Sequence, residues 1–191
     1  MRVIAGKYRS RPLLSLRGMD IRPTSDRLRE TLFNVLCAGN PEALAGSVWL
    51  DLYAGTGAVG IEALSRGAAM VYFAEPSKPA ADVIAANLKS LGIASGSQIA
   101  KVETLKALGQ WAKAGVRANY IFLDPPYRLR EEYEKTLALL AESSLLASSS
   151  LVIAEHEKRF DPGESFGCLE RYRKLEQGDA TLGFYRLARS S

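Results

Sequence analysis

From residue 47 onward, short apolar runs alternate with stretches of helical periodicity, and this rhythm restricts the fold more than any other feature of the chain. Repeated β–α units imply parallel strands joined by right-handed crossovers. Near-continuous apolarity within the runs indicates strands that are covered on both faces. The sequence therefore predicts an α/β fold with a doubly wound, mostly parallel sheet. Its predicted parallel strands are Val48–Tyr53, Met70–Ala74, Ile99–Val102, Tyr120–Leu123 and Leu151–Ala154.

The two ends of the chain depart from this alternation. Near the C-terminus, two strand-like runs flank Gly178 and Asp179, which predicts an antiparallel hairpin at the sheet edge and about seven strands in all. Near the N-terminus, residues 2–9 predict a small hairpin around Gly6, followed by a helix that stops near Gly39. We therefore divide the chain into an N-terminal extension, residues 1–45, and a main domain, residues 46–191.

Positive charge is concentrated at the N-terminal end. The first 30 residues hold eight basic and three acidic side chains, whereas the net charge of the whole chain is only +4. Such asymmetry is typical of a segment that contacts a polyanion such as nucleic acid. The candidate RNA-binding residues are Arg2, Lys7, Arg9, Arg11, Arg22 and Arg27.

Cysteine and histidine usage argues against a metal site. Cys37 and Cys168 are far apart in the sequence, and His156 is the only histidine. No apolar run approaches the roughly 18 residues that a membrane-spanning helix needs. Basic residues also interrupt the first eleven positions, where a signal peptide would be apolar. We therefore expect a cytoplasmic protein that uses no metal and no membrane anchor.

A glycine-rich segment follows the first predicted strand. Gly55, Gly57 and Gly60 have the G-x-G-x-x-G spacing, which permits a tight turn and close approach of a ligand to the backbone. Glu75, at the end of the second strand, can accept hydrogen bonds from ribose hydroxyls. A dinucleotide would place its pyrophosphate at the helix N-terminus. Asp51 would repel that group and suits the ammonium of S-adenosylmethionine, so the loop favours the latter without excluding a dinucleotide.

The fourth predicted strand ends in Asp124-Pro125-Pro126-Tyr127. Two consecutive prolines give up two backbone donors and stiffen the turn. The Asp124 carboxylate and the turn carbonyls can accept hydrogen bonds from an aromatic exocyclic amine and stabilise the positive charge that develops as it attacks. Tyr127 offers a stacking surface, worth ~1–3 kcal/mol per base. This pattern indicates chemistry on the amino group of a nucleobase.

Acidic residues follow each of the five predicted parallel strands: Asp51, Glu75, Glu103, Asp124 and Glu155. Ligands of open α/β sheets bind along that edge. Glu103 either faces an adenine amine or only begins a helix, where an acid interacts favourably with the helix dipole. No role is assigned to Glu155, and the neighbouring His156 is more often structural than catalytic.

Together these motifs resemble class I S-adenosylmethionine-dependent methyltransferases that act on amino groups. The N-terminal sequences RVIAGKYRSRPL (residues 2–13) and RPTSDRLRETLFN (residues 22–34) further resemble the RsmD family of 16S rRNA guanine-N2 methyltransferases. The resemblance implies a Rossmann-like fold with a basic N-terminal extension, acting on one guanine of 16S rRNA. We further expect a monomer whose substrate is the small ribosomal subunit or an assembly intermediate.

The resemblance also assigns the site. It implies that the base is held by Asp124, Pro125 and Tyr127, to which we add Pro126 of the same turn. It implies that S-adenosylmethionine is held by Asp51, Gly55, Gly57 and Glu75. We add Tyr53 and Thr56 of the same loop, and Glu103, which stands where such enzymes often have aspartate, as candidate cofactor-binding residues.

Three other functions stay open at the level of sequence. The first is a methyltransferase acting on adenine or cytosine of DNA, or on a protein amide, since the Asp-Pro-Pro-Tyr motif alone does not separate these substrates. The second is an NAD-binding oxidoreductase, which the glycine spacing favours and Asp51 opposes. The third is an RNA-binding module that keeps the fold without catalysis.

Overall fold

The computed structural model describes residues 1–15 and 25–188, so the predicted RNA contact Arg22 lies outside the described residues. The helices are α1 (Asp26–Leu36), α2 (Ala58–Ser65), α3 (Lys78–Ser90), α4 (Thr104–Lys113) and α5 (Glu131–Glu142). The strands are β1 (Val48–Leu52), β2 (Met70–Ala74), β3 (Ser97–Ala100), β4 (Ala118–Leu123), β5 (Leu146–Glu157), β6 (Ser165–Phe166), β7 (Leu169–Gln177) and β8 (Ala180–Leu187). Within the described ranges, no helix is long and apolar enough to cross a bilayer.

The strands form one sheet in the order β3-β2-β1-β4-β5-β8-β7-β6. Strands β1 to β5 pair in parallel, while β5–β8, β8–β7 and β7–β6 pair antiparallel. The predicted Rossmann-like fold with a C-terminal antiparallel hairpin is therefore confirmed. The described part of the sheet has eight strands rather than about seven, because β6 has only two residues and is too short to give a periodic signal.

Strand β3 begins and ends two residues earlier than the sequence predicts. The sequence pattern favours Ile99–Val102, whereas the strand spans Ser97–Ala100, with Ser97 opposite Val71. β3 is one of the two edge strands of the described sheet. Polar residues such as Ser97 and Gln98 are tolerated in an edge strand because one side of it is open to solvent. A prediction based on apolar residues alone therefore misplaces the start of β3.

The sheet separates two apolar layers, as expected for parallel strands covered on both faces. One layer contains Trp49, Phe73 and Phe122 together with apolar residues of α1, α2 and α3. The other contains Leu50 and Leu123 together with apolar residues of α4 and α5. Successive strand residues alternate between the layers. The arrangement leaves the carboxyl ends of β1 to β5 together at one rim of the sheet.

The N-terminal extension folds back on itself and packs against α2. Arg2 and Pro12 form an isolated antiparallel bridge, so the chain does reverse direction here, but the pairing reaches beyond residues 2–9 of the predicted hairpin. The turn residue Gly6 has φ of 79°, and a Cβ there would lie 1.9 Å from the Ser65 carbonyl oxygen, so only glycine fits. Val3 of the extension is buried in the apolar layer that also contains residues of α2 and α3 from the main domain. The division at residue 45 stays a prediction about function, since the two segments share a core.

Candidate functional site

The loop between β1 and α2 turns sharply at the rim of the sheet. Gly55 and Gly57 have φ values of 55° and 75°, and Tyr53 adopts a left-handed φ of 60°, which costs a non-glycine residue about 1–3 kcal/mol. Hydrogen bonds hold Tyr53 in place: its hydroxyl lies 2.9 Å from Thr136 Oγ1 and 3.2 Å from Glu132 Oε2. The predicted glycine turn is therefore present and anchored to α5.

Two acidic side chains already accept hydrogen bonds from backbone amides of this loop and of the first turn of α2. Glu75 Oε2 accepts a hydrogen bond from Gly55 N at 2.8 Å, and Asp51 Oδ2 accepts one from Gly60 N, also at 2.8 Å. Amides of this kind would bind the pyrophosphate of a dinucleotide. Because the two carboxyl groups already accept from these amides, neither amide is left for a pyrophosphate, and the loop suits a ligand with an ammonium group and ribose hydroxyls. The donor set therefore fits S-adenosylmethionine and opposes NAD.

Burial raises the pKa of Asp51 to about 8; the hydrogen bond from Gly60 opposes this rise and the charge of Glu75 adds to it. The same cause, burial, raises the pKa of Glu75. An ordinary aspartate has a pKa of 3.8. Between these pH values the folded protein therefore holds one proton more than the unfolded chain at Asp51.

This difference gives a testable pH dependence. Because the folded state binds the extra proton at Asp51, the contribution of Asp51 to the free energy of unfolding should fall as pH rises from about 4 to 8, by up to about 1.4 kcal/mol per pH unit. Urea unfolding across this range measures the slope. We expect Asp51→Asn to flatten it, because asparagine does not titrate. Equal slopes for both proteins would contradict the assignment.

A buried asparagine links the glycine loop to the N-terminal extension. Asn87 of α3 is fully buried, and its Nδ2 donates to the carbonyls of Thr56, at 3.1 Å, and Leu14, at 3.2 Å. Its Oδ1 accepts from Leu14 N at 2.7 Å. Thr56 itself is buried, with its hydroxyl 3.9 Å from Met1 Sδ. The sequence reasoning did not single out Asn87, although an amide on the apolar face of a helix is a signal for such a link.

The Asp124–Tyr127 turn lies beside the glycine loop. Leu52 of β1 is in register with Leu123 of β4, so Tyr53 and Asp124 are the next residues on neighbouring strands, which lie about 4.8 Å apart. Pro125 is buried, Asp124 and Tyr127 are half-buried, and Pro126 is exposed. The structure therefore brings the two predicted motifs together at one rim.

The Asp124–Tyr127 turn is fixed by a hydrogen bond from a tyrosine of α5 that the sequence analysis did not identify. The hydroxyl of Tyr133, a buried residue of α5, lies 2.8 Å from the Glu155 carbonyl and 3.3 Å from the Pro125 carbonyl. Burial raises the pKa of Tyr133 above its usual value, so the hydroxyl stays a donor. A carbonyl oxygen has two lone pairs, and Pro125 can accept a further hydrogen bond from a substrate.

Glu103 and His156, which the sequence analysis also considered as site residues, lie apart from the glycine loop and the Asp124–Tyr127 turn. Glu103 is exposed and stands at the N-cap of α4 without a side-chain capping bond, beyond the edge strand β3. His156 is fully buried, with Nδ1 2.9 Å from the Glu157 carbonyl, and it packs edge-on against the rings of Tyr133 and Phe160. Burial lowers its pKa. The environment of His156 is that of a packed core residue.

The predicted RNA-binding residues that the structure describes are all exposed. Arg2, Arg9 and Arg27 line one surface cavity of about 420 Å³. Lys7 and Arg11 are not in this cavity; the Arg11 guanidinium donates to the Ser90 carbonyl at 2.9 Å. The basic end of the chain thus supplies a cavity with three arginines, whose lining also includes Asp26 and Glu30.

Comparison with known proteins gives consistent matches. A family model described as "Conserved hypothetical protein 95" matches residues 1–186. "Putative rRNA methyltransferase YlbH" of Bacillus subtilis is 33% identical over 186 residues, covering 97% of this chain and 98% of that protein. "Ribosomal RNA small subunit methyltransferase D" of Escherichia coli is 36% identical over 157 residues, covering 82% and 75%. The solved structure "Putative methyltransferase yhhF" of Escherichia coli has a TM-score of 0.83 at 30% identity, covering 100% of this chain and 99% of that chain.

Proposed function

Because the chain belongs to the RsmD family, described as Conserved hypothetical protein 95, we propose that it methylates the exocyclic N2 amine of a guanine in 16S rRNA. It is an S-adenosylmethionine-dependent rRNA methyltransferase with a Rossmann-like fold. The observation that supports the finer assignment is the adjacency of the carboxylate-capped glycine loop and the Asp124–Tyr127 turn. We place its action in the cytoplasm, as a monomer, on the small ribosomal subunit or an assembly intermediate.

The glycine loop is the part of the chain that holds the cofactor. S-adenosylmethionine supplies an electrophilic methyl carbon on a sulfonium. Glu75, which is 8% exposed, accepts hydrogen bonds from the ribose hydroxyls with lone pairs that Gly55 and Ser77 leave unused. Asp51 faces the ammonium group, and a nearby positive charge favours its ionised form.

The Asp124–Tyr127 turn holds and activates the base. Asp124 and the Pro125 carbonyl accept the two N2 hydrogens, which keeps the nitrogen lone pair directed at the methyl carbon. Tyr127 stacks on the base. As the new N–C bond formed, the bond between the methyl carbon and the sulfonium sulfur would break, leaving S-adenosylhomocysteine, and Asp124 would accept the proton that N2 loses. Holding the two reacting atoms ~3–3.5 Å apart supplies ~7–11 kcal/mol of the barrier reduction, and proton transfer contributes ~10²–10⁴-fold.

The base must leave its stack to reach this turn, so the substrate is an unpaired or extruded nucleotide rather than an intact helix. The three arginines of the 420 Å³ cavity contact phosphates, which position the RNA without specifying its sequence. A DNA amino-methyltransferase would use the same turn. The basic extension and the family membership favour RNA.

Mapping the product tests this function. Small ribosomal subunits from cells that lack the protein are incubated with purified protein and S-adenosylmethionine, and nuclease fragments of the RNA are analysed by mass spectrometry. We expect one new N2-methylguanine in 16S rRNA. Methylation of adenine or cytosine, or of DNA added in parallel, would contradict guanine-N2 of 16S rRNA as the target. If no methyl group were transferred to any ribosomal RNA, only an RNA-binding role would be left.

A salt titration tests the RNA contacts. Replacing both Arg2 and Arg9 with alanine should weaken binding to these subunits and reduce the slope of log affinity against log salt by about 1.5, because two phosphate contacts are lost. The matched control replaces Lys106 and Lys113 of α4, which are exposed and belong to the helix layer on the opposite face of the sheet. An unchanged slope for the arginine variant, or an equal change in the control, would refute the arginine cavity as the RNA contact.

A further inference from the structure

A second cavity, of about 200 Å³, lies at the same rim of the sheet, one strand further from the glycine loop than Asp124. Among residues 1–15 and 25–188, three elements enclose it: the first turn of α1, the end of β5 and the β7–β8 turn. Its volume is below the range of about 300–1,000 Å³ that is usual for drug-sized ligands, which suits a single base. Its lining residues are Ser25, Arg27, Leu28, Glu155, Gln177, Gly178, Asp179 and Ala180.

Glu155 is the acidic residue of this cavity that stands beside the catalytic turn. Leu123 of β4 is in register with Ala154 of β5, so Asp124 and Glu155 are the next residues on neighbouring parallel strands, about 4.8 Å apart. The Tyr133 hydroxyl contacts the carbonyls of both Pro125 and Glu155, so the two positions are held relative to each other. Glu155 is 5% exposed.

The Watson–Crick edge of guanine fits this pair of carboxylates. The edge carries the N2 amine and, directly next to it, the N1–H donor. In adenine, N1 carries no hydrogen and presents a lone pair instead of a donor. An ionised carboxylate is only an acceptor, with about four lone-pair sites, so it can bond N1–H in addition to partners within the protein and repels a bare N1. With N2 at Asp124, N1–H is directed at the neighbouring strand.

We propose, on the basis of the proposed function, that Glu155 selects guanine by accepting a hydrogen bond from N1–H while Asp124 holds N2. Two further residues of the cavity agree with this role. Gln177 Oε1 is buried and has no hydrogen-bond partner among residues 1–15 and 25–188, so it offers an acceptor to a ligand that carries donors. Arg27 lines both this cavity and the arginine cavity, which connects the base site to the phosphate contacts.

The test uses a base that keeps the reactive amine but lacks N1–H. 2,6-Diaminopurine has the 2-amino group of guanine and an unprotonated N1. Small subunits are reconstituted with 16S rRNA that carries either guanine or 2,6-diaminopurine at the mapped position, introduced by splinted ligation. Methyl transfer from labelled S-adenosylmethionine gives kcat/KM for each base with the wild-type protein, Glu155→Gln and the control Glu157→Gln.

We expect the wild-type protein to prefer guanine strongly. Glu155→Gln should lower kcat/KM on guanine by about 10- to 100-fold and reduce the preference over 2,6-diaminopurine by at least about 10-fold, because the amide also donates to a bare N1. Glu157→Gln changes charge on the same strand, at a residue whose partner is the exposed Arg130, and should leave the preference unchanged.

The outcomes separate this inference from the proposed function. A wild-type protein that methylates neither particle contradicts the proposed function itself. A wild-type protein that methylates guanine, combined with an unchanged base preference in Glu155→Gln, overturns only the role of Glu155. Cofactor affinity, measured by calorimetry, should be equal in all three proteins, and a loss in Glu155→Gln would show that the residue serves cofactor binding instead.

Discussion

Replacing Asp124 with alanine is expected to lower the rate of methyl transfer by about 10²- to 10⁴-fold, because the variant loses both an acceptor for the N2 hydrogens and the group that takes up the proton. The affinity for S-adenosylmethionine should stay within a few-fold of wild type, since the Asp51 and Glu75 contacts of the glycine loop are untouched. Single-turnover kinetics and calorimetry measure the two quantities separately.

The conservative variant Asp124→Asn distinguishes a chemical role from a structural one. Asparagine keeps one acceptor oxygen and the size of the side chain but cannot accept the proton. We expect a rate between those of wild type and Asp124→Ala, with an altered pH profile. A near-normal rate in Asp124→Ala would exclude this residue from the reaction.

The largest expected effect on stability is at Glu62 of α2. Its side chain is 1% exposed, and it accepts hydrogen bonds from Ile4 N at 2.8 Å, Ala5 N at 3.0 Å and Arg66 Nε at 2.8 Å. Arg29, which is fully buried, lies 3.9 Å away. Glu62→Ala would leave two backbone donors and a buried cation without this partner, which typically costs about 3–5 kcal/mol.

Urea unfolding measures this loss. The matched control is Glu134→Ala, at an exposed position of α5, where a change within about 0.5 kcal/mol is expected. If Glu62→Ala loses less than about 1 kcal/mol, Glu62 does not hold the extension on α2. Since Val3 and Leu13 of the extension are buried in the shared core, we also expect protease to cleave the extension faster in this variant.

The parts of the fold that sequence could predict are those with a local, repeating signal. The alternation of apolar runs and helical stretches indicated the parallel strands, and the spacing of Gly55 and Gly57 indicated the turn at their rim. Asp124 could be identified from the sequence because it directly precedes two prolines at the end of a predicted strand. Each of these signals lies within about ten residues of sequence, which is the range over which periodicity and turn chemistry operate.

The distant partners of the contacts that hold the site together had no such signal. Glu62 bonds backbone amides 57 and 58 positions away, and Asn87 joins Leu14 to Thr56 across 73 and 31 positions. A side chain that bonds a distant backbone leaves no residue-type pattern at its partner. Arg29 is one of the eight basic residues in the first 30 positions, yet it is fully buried; burial lowers its pKa, and Asp26 and Glu62 partly offset that effect.

The most direct measurement is a crystal structure of the protein with S-adenosylhomocysteine. We expect ribose hydroxyls within about 3 Å of the Glu75 carboxylate, the amino group of the ligand against Asp51, and the sulfur facing the Asp124–Tyr127 turn. Clear density for the ligand at any place from which its sulfur cannot face residues 124–127 would contradict the account, whatever the affinity.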